Sequence, residues 1–134
     1  MKEIVKFIKE GLKITAKTKV NKYNYYPKTK RELHNLINQL IEERGNKGDF
    51  NDIDTSKITD MSGLFDNIDN DNRDKFNGDI SNWDVSNVTY IIYMFYNCNS
   101  FNQNISEWNV SNVKYKSDMF YNCSIEKKCK PKFS

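Results

Sequence analysis

The sequence predicts an α+β fold: a short solenoid of about three coils, closed on its N-terminal side by a helical cap. Three observations carry that expectation. Residues 76–100 align without a gap on residues 101–125, with 15 identities in 25 positions. The apolar residues of both copies fall in one fixed order, which suits a short strand followed by a turn. An amphipathic helix pattern with start and stop signals precedes the repeats. A repeat of this length buries its apolar face only against a neighbour, so about three copies and an end cap are needed for stability.

Taken from the N-terminus, Ile4, Val5, Ile8 and Leu12 suggest a first helix, and residues 20–27, with three tyrosines, read as extended. Thr29 followed by Glu32 forms a capping box. Leu33, Leu36, Ile37, Leu40 and Ile41 then recur at the i, i+3, i+4, i+7 spacing of a helix face before Gly45 ends the run, which predicts a helix over Lys30–Arg44. A degenerate copy follows, the first of three in chain order, with residues 76–100 the second and 101–125 the third. Residues 55–65 align with residues 85–95, and the spacing of 30 from Phe65 to Phe95 leaves a five-residue insertion within residues 66–75.

The apolar order is Ile80, Trp83, Val85, Val88, Ile91, Met94, Phe95, and then Ile105, Trp108, Val110, Val113, Met119, Phe120. It reads I-x-x-W-x-V-x-x-V, a leucine-rich-repeat-like spacing with Trp in a leucine slot. The expected fold is therefore a leucine-rich-repeat-like solenoid in which Ile-x-x-Trp-x-Val is a strand and Met-Phe-Tyr-Asn-Cys a turn on the opposite side. Equivalent residues of adjacent coils superpose, so Trp83 should stack on Trp108 and Phe95 on Phe120. The chain divides into a helical capping region (residues 1–48), a repeat solenoid (49–125) and a basic tail (126–134), whose Phe133 is placed to cover the last coil.

Charge follows the same division. Residues 1–48 carry 12 Lys and Arg against 5 Asp and Glu, residues 49–125 carry 5 against 12, and residues 126–134 carry 4 against 1. An acidic middle between basic ends bears on partners and association rates, and not on fold. Glu3, Lys6, Lys9 and Glu10 interrupt any apolar run at the start, and no stretch approaches the roughly 18 apolar residues of a membrane span. A cytoplasmic location is expected from the chain as written. Three cysteines without metal-ligand spacing fit reduced thiols.

Catalytic chemistry has little to draw on, so no enzyme, cofactor or metal is expected. His34 is the only histidine and reads as a helix-packing residue. No nucleophile elbow, phosphate loop or HExxH motif occurs. Cys98 and Cys123 share one slot in successive copies and read as small buried hydrophobes, with a bridge or metal pair as the sharper alternative. The oxygen-rich residues 66–74 could hold Ca²⁺, but they lack the glycine and distal glutamate of a calcium loop and contain Arg73.

Solenoids bind through extended surfaces. The outward strand positions include Asn82, Asp84, Asn87, Glu107, Asn109 and Asn112, a polar, acidic set that suits a protein partner with a basic surface. Neither a small-molecule substrate nor a membrane is expected as partner, and nucleic acid is disfavoured because an acidic face repels a polyanion.

The strings DISNWDVSNVTYIIYMFYNCNSFNQNIS and DIDTSKITDMSGLF resemble the BspA-type leucine-rich-repeat surface proteins, from about residue 27 to residue 124. Lys116 departs from the pattern, standing where the preceding copies have Ile91 and Met61. The resemblance implies a non-catalytic solenoid used for adhesion or protein contact. Two function classes result: a protein-binding module, for example a phage or mobile-element inhibitor of a host nucleic-acid-handling protein, and a cell-surface adhesin or host-interaction repeat protein.

Overall fold

The structure, a computed structural model, describes residues 22–69 and 71–133. The helix expected from Ile4 to Leu12 lies outside the described residues. The helix expected over Lys30–Arg44 is present and is labelled α1. Thr29 Oγ1 accepts a hydrogen bond from the Glu32 N–H at 3.1 Å, and Glu32 Oε1 accepts from the Lys28 N–H at 2.7 Å. One unsatisfied donor of the first turn, the Glu32 N–H, and the N–H of the residue before the N-cap are thus met. At the other end Gly45, at φ 83°, donates its N–H to Ile41 O at 2.7 Å, the left-handed close that glycine makes without a Cβ penalty. Leu33, Ile37, Leu40 and Ile41 are buried, while Leu36 is only half-buried.

The remainder is not the α+β leucine-rich-repeat solenoid of about three coils that the apolar spacing predicts. Among the described residues there is one α-helix, there are two three-residue 3₁₀ turns (Asn72–Asp74 and Lys127–Cys129), and strand pairing is confined to isolated parallel bridges, with no sheet. The physical reason lies in the polar residues between the apolar ones. Asp79 Oδ1 accepts from Ser81 N at 3.0 Å, Asp84 Oδ1 from Ser86 N at 3.0 Å, and Asn109 Oδ1 from Ser111 N at 3.1 Å. Each closes an Asx turn, which offers the backbone a local alternative to a strand. The next backbone bond closes the turn again, Trp83 N to Ile80 O at 3.1 Å and Val88 N to Val85 O at 3.0 Å. The I-x-x-W-x-V segment is therefore a chain of tight turns recurring every five residues.

Successive copies still lie side by side. Bridges join Asp60 to Tyr90 and Tyr90 to Tyr115, and a third joins Tyr25 to Ile53, so part of the tyrosine-rich segment before the helix does pair. Phe95 stacks on Phe65 (centroids 5.1 Å apart) and on Phe120 (5.6 Å), and Phe76 on Phe101 (6.1 Å). The tryptophans pack differently from the expectation. Trp83 lies on Phe65 at 5.8 Å and Trp108 beside Phe95 at 6.4 Å, and each indole N–H donates to a carbonyl of the preceding copy: Phe50 O at 2.9 Å and Ile80 O at 3.2 Å. Buried indole donors need such partners.

Helix α1 belongs to the same core, since its buried side chains form one cluster with those of the repeats. Polar contacts along one helix face fix its position. Lys30 Nζ reaches Ser62 O at 3.3 Å, His34 Nε2 is 2.9 Å from Asn67 O, and Asn38 Oδ1 accepts from Asp69 N at 2.9 Å. Arg44 closes the helix end with two bonds to the Asp52 carboxylate, 2.8 and 3.0 Å. At the opposite end Cys129 O accepts from Ile105 N at 2.9 Å, and Phe133 is half-buried against the core.

Candidate functional site

The six polar residues singled out for docking are all exposed, and the side chains of four of them, Asp84, Asn87, Asn109 and Asn112, are engaged in hydrogen bonds within the protein. Asp84 takes both the N–H and the hydroxyl of Ser86, the latter at 2.6 Å, and Asn109 does the same for Ser111, with its hydroxyl at 2.7 Å. Asn87 Nδ2 donates to Ser56 O at 2.7 Å and Asn112 Nδ2 to Ser86 O at 2.6 Å, each spanning to the preceding copy. The Asn82 N–H donates to Asn51 Oδ1 at 2.8 Å. Glu107 is exposed. Asparagine amides thus add cross-copy hydrogen bonds to those the backbone makes between neighbouring copies. Hydrogen bonding from the Ser86 hydroxyl and N–H holds the Asp84 carboxyl below its ordinary range, so its charge persists in mildly acidic solution.

A second surface was not anticipated. Tyr90 and Tyr115 stack at 4.8 Å and Tyr96 and Tyr121 at 5.1 Å, while Tyr93 meets Tyr96 edge-on at 4.9 Å. All five belong to the segments 90–96 and 115–121, which the bridges and bonds place alongside each other. Tyr90, Tyr93, Tyr115 and Tyr121 remain 44–56% exposed, so the rings form a flank and not a core. Tyr93 adopts φ 61°, at the position where the other copies place Gly63 (φ 62°) and Asp118 (φ 54°). A tyrosine in this left-handed region carries a local conformational cost. The available signal was the recurrence of Tyr at 90/115 and 96/121, where the first copy has Asp60 and Asp66.

The other candidates are quiet. A cleft of about 300 Å³ between the start of α1 and the first copy is lined by Lys30, Arg31, His34, Ser62, Gly63, Leu64 and Asn67. Its histidine is tied to Asn67 O and its Lys30 to Asp60 at 3.5 Å. In the acidic insertion, Arg73 lies 3.1 Å from Asp66 and 3.5 Å from Asp74, so the cluster carries its own cation. Cys98 is buried and free, and burial pushes its thiol well above the ordinary range, with Cys123 shifted the same way for the same reason. No described helix is long and apolar enough to cross a membrane.

No curated protein matches the chain, and no solved structure does. A family model described as "Mycoplasma protein of unknown function, DUF285" matches residues 32–129, which takes in α1 from Glu32 onward, every repeat copy and the start of the tail. The match covers more than half of the sequence, and the chain belongs to that DUF285 family.

Proposed function

We propose that the protein is a non-catalytic protein-binding module whose contact surface is the tyrosine flank, with the exposed carboxylates of Asp84 and Glu107 steering a partner of basic surface. The observation that carries this reading is the flank itself: five rings held in register by the copies beneath them, four of them about half exposed. Tyrosine contributes large contact area with few rotatable bonds and is enriched at interface hot spots. The carboxylates of Asp84 and Glu107 supply long-range attraction, which acts on association rate more than on affinity. A phage or mobile-element inhibitor of a basic, nucleic-acid-handling host protein is one form such a module takes.

Capture from an extract of the native host tests the reading. The wild-type chain should retain a protein that the double variant Tyr90→Ser with Tyr93→Gly does not, while the melting temperature stays within a few degrees. For the captured protein, Glu107→Lys should slow association and leave the dissociation rate nearly unchanged. Capture indifferent to both changes would remove the flank and the steering carboxylates together.

A second reading is supported by the WDVSNV and MFYNC blocks, which resemble the BspA-type surface proteins. It makes the same flank an adhesive surface displayed outside the cell. Protease treatment of intact host cells separates the two: loss of the protein supports the adhesin, and survival supports the internal module.

A further inference from the structure

Three features meet at the end of the repeat stack formed by the third copy. The first is the backbone. In the second copy the N–H groups of Ile91, Tyr93, Phe95 and Asn97 donate to Tyr115 O, Ser117 O, Met119 O and Tyr121 O at 2.8–3.1 Å. In the first copy Met61, Gly63 and Phe65 donate likewise to Tyr90, Ile92 and Met94 at 2.8–3.0 Å. The equivalent N–H groups of Lys116, Asp118, Phe120 and Asn122 have no backbone acceptor among the described residues, and residues 114–118 are exposed.

The second feature is aromatic. Tyr115 and Tyr121 are the last rings of their two stacks, with inner faces covered by Tyr90 and Tyr96, and they remain 48% and 56% exposed. The third is charge. Residues 113–133 carry six lysines against Asp118 and Glu126 alone. Two of these lysines are held at this end, Lys130 Nζ 5.3 Å over the Phe120 ring and Lys116 Nζ 5.4 Å over the Phe133 ring.

We infer that this end binds single-stranded nucleic acid, with bases stacking on the outer faces of Tyr115 and Tyr121 and phosphates taking the lysines and the outward N–H groups. Stacking platforms beside cationic groups are the chemistry of single-strand binding, and backbone N–H groups are ordinary phosphate donors. A second copy of the chain fits less well. Pairing two such ends would set donors against donors and lysines against lysines, and in the first copy, whose carbonyls would complement the donors, Ser62 O already takes Lys30 Nζ. An acidic polypeptide would meet the charges and the donors but leave both ring faces unused.

The test is a fluorescence-anisotropy titration of the full chain with labelled thymidine DNA and uridine RNA of about 10 nucleotides, within the site sizes known for such surfaces. Binding is expected at low salt, about tenfold weaker for either Tyr115→Ser or Tyr121→Ser. For Lys114→Glu with Lys116→Glu, the slope of log affinity against log salt should fall by about 1.4. Unchanged melting temperatures for these exposed substitutions separate loss of contact from loss of fold. The inference is overturned by absence of binding to both oligonucleotides. It is equally overturned by binding that survives both tyrosine variants, since the contact then lies elsewhere on a basic chain. Competition by polyglutamate that is insensitive to the tyrosines would assign the end to an acidic polypeptide, and dimerisation abolished by Tyr121→Ser would assign it to a second copy. Tyr115 and Tyr121 also end the five-ring flank, so Tyr90→Ser with Tyr93→Gly is titrated beside their variants: it should abolish protein capture and leave oligonucleotide affinity unchanged, which separates a failure of this inference from a failure of the protein-binding reading.

Discussion

At the scale of single residues, the repeat uses Asp and Asn as turn formers, and the two types are interchangeable for that purpose. Asp84 and Asn109 occupy the same slot and accept the same pair of Ser donors. Asp84→Asn should therefore leave stability at neutral pH nearly unchanged, whereas Asp84→Ala should cost about 1 kcal/mol, the net worth of a side-chain hydrogen bond. Urea denaturation of the two variants measures the difference, and equal loss in both would show that charge and not turn geometry matters there. Tyr93 offers the opposite case. Replacing it with Gly relieves a left-handed φ that glycine adopts freely, so the melting temperature should hold or rise even though a ring is lost. Cys98 should resist alkylation in the native protein and react once urea unfolds it, because its thiol is buried and its thiolate disfavoured.

The element that matters most is α1, because its apolar face is part of the repeat core. Ile37 is fully buried and Leu36 is not, so the two positions separate cap from appendage. Ile37→Asp places a charge in that core at a cost of several kcal/mol, comparable with the whole stability of a small domain. The expected result is loss of the cooperative transition in the repeats as well as in the helix, read by the fluorescence of the buried Trp83 and Trp108. Leu36→Asp should be milder. A normal indole signal in Ile37→Asp, with reduced helical circular dichroism, would make α1 an appendage.

For the molecule as a whole, carboxylates set the acid limit. Asp52, Asp60, Asp79 and Asp84 all titrate below the ordinary value of 3.8. At Asp52, Asp60 and Asp79 burial alone would raise the value, and hydrogen bonds from Arg44 and Asn24, from Ser62 and Lys30, and from Ser81 respectively outweigh it. A group whose folded pKa is depressed contributes stability above its unfolded pKa and loses it as pH falls through the folded one. Stability should therefore be flat from pH 7 to about pH 4.5 and fall steadily towards pH 2, as followed by melting temperature. Asp84→Asn should shift that acid limb slightly downward in pH. An acid limb identical to that of the wild type would mean that the Asp84 charge plays no part in it.

What the sequence determined by itself is the register of the copies, the place of the phenylalanines and the bounds of α1. Each of these is local or periodic: the capping box and Gly45 act within a turn, and identity between copies makes Phe95 and Phe120 equivalent wherever the backbone runs. The turn chemistry was also legible, since Asp79 and Ser81, Asp84 and Ser86, and Asn109 and Ser111 repeat every five residues or at equivalent places. Reading the apolar spacing first gave it a strand, and side chains that bond their own backbone won over strand pairing. Tertiary structure alone decided how the polar residues are spent. Asn87 and Asn112 look free for a partner until the preceding copy brings Ser56 O and Ser86 O within 2.7 Å. The tyrosines at 90/115 and 96/121 show in the sequence only as a recurrence until neighbouring copies stack them at the surface. Both outcomes depend on contacts between residues some 25 or more positions apart, which local propensity does not encode.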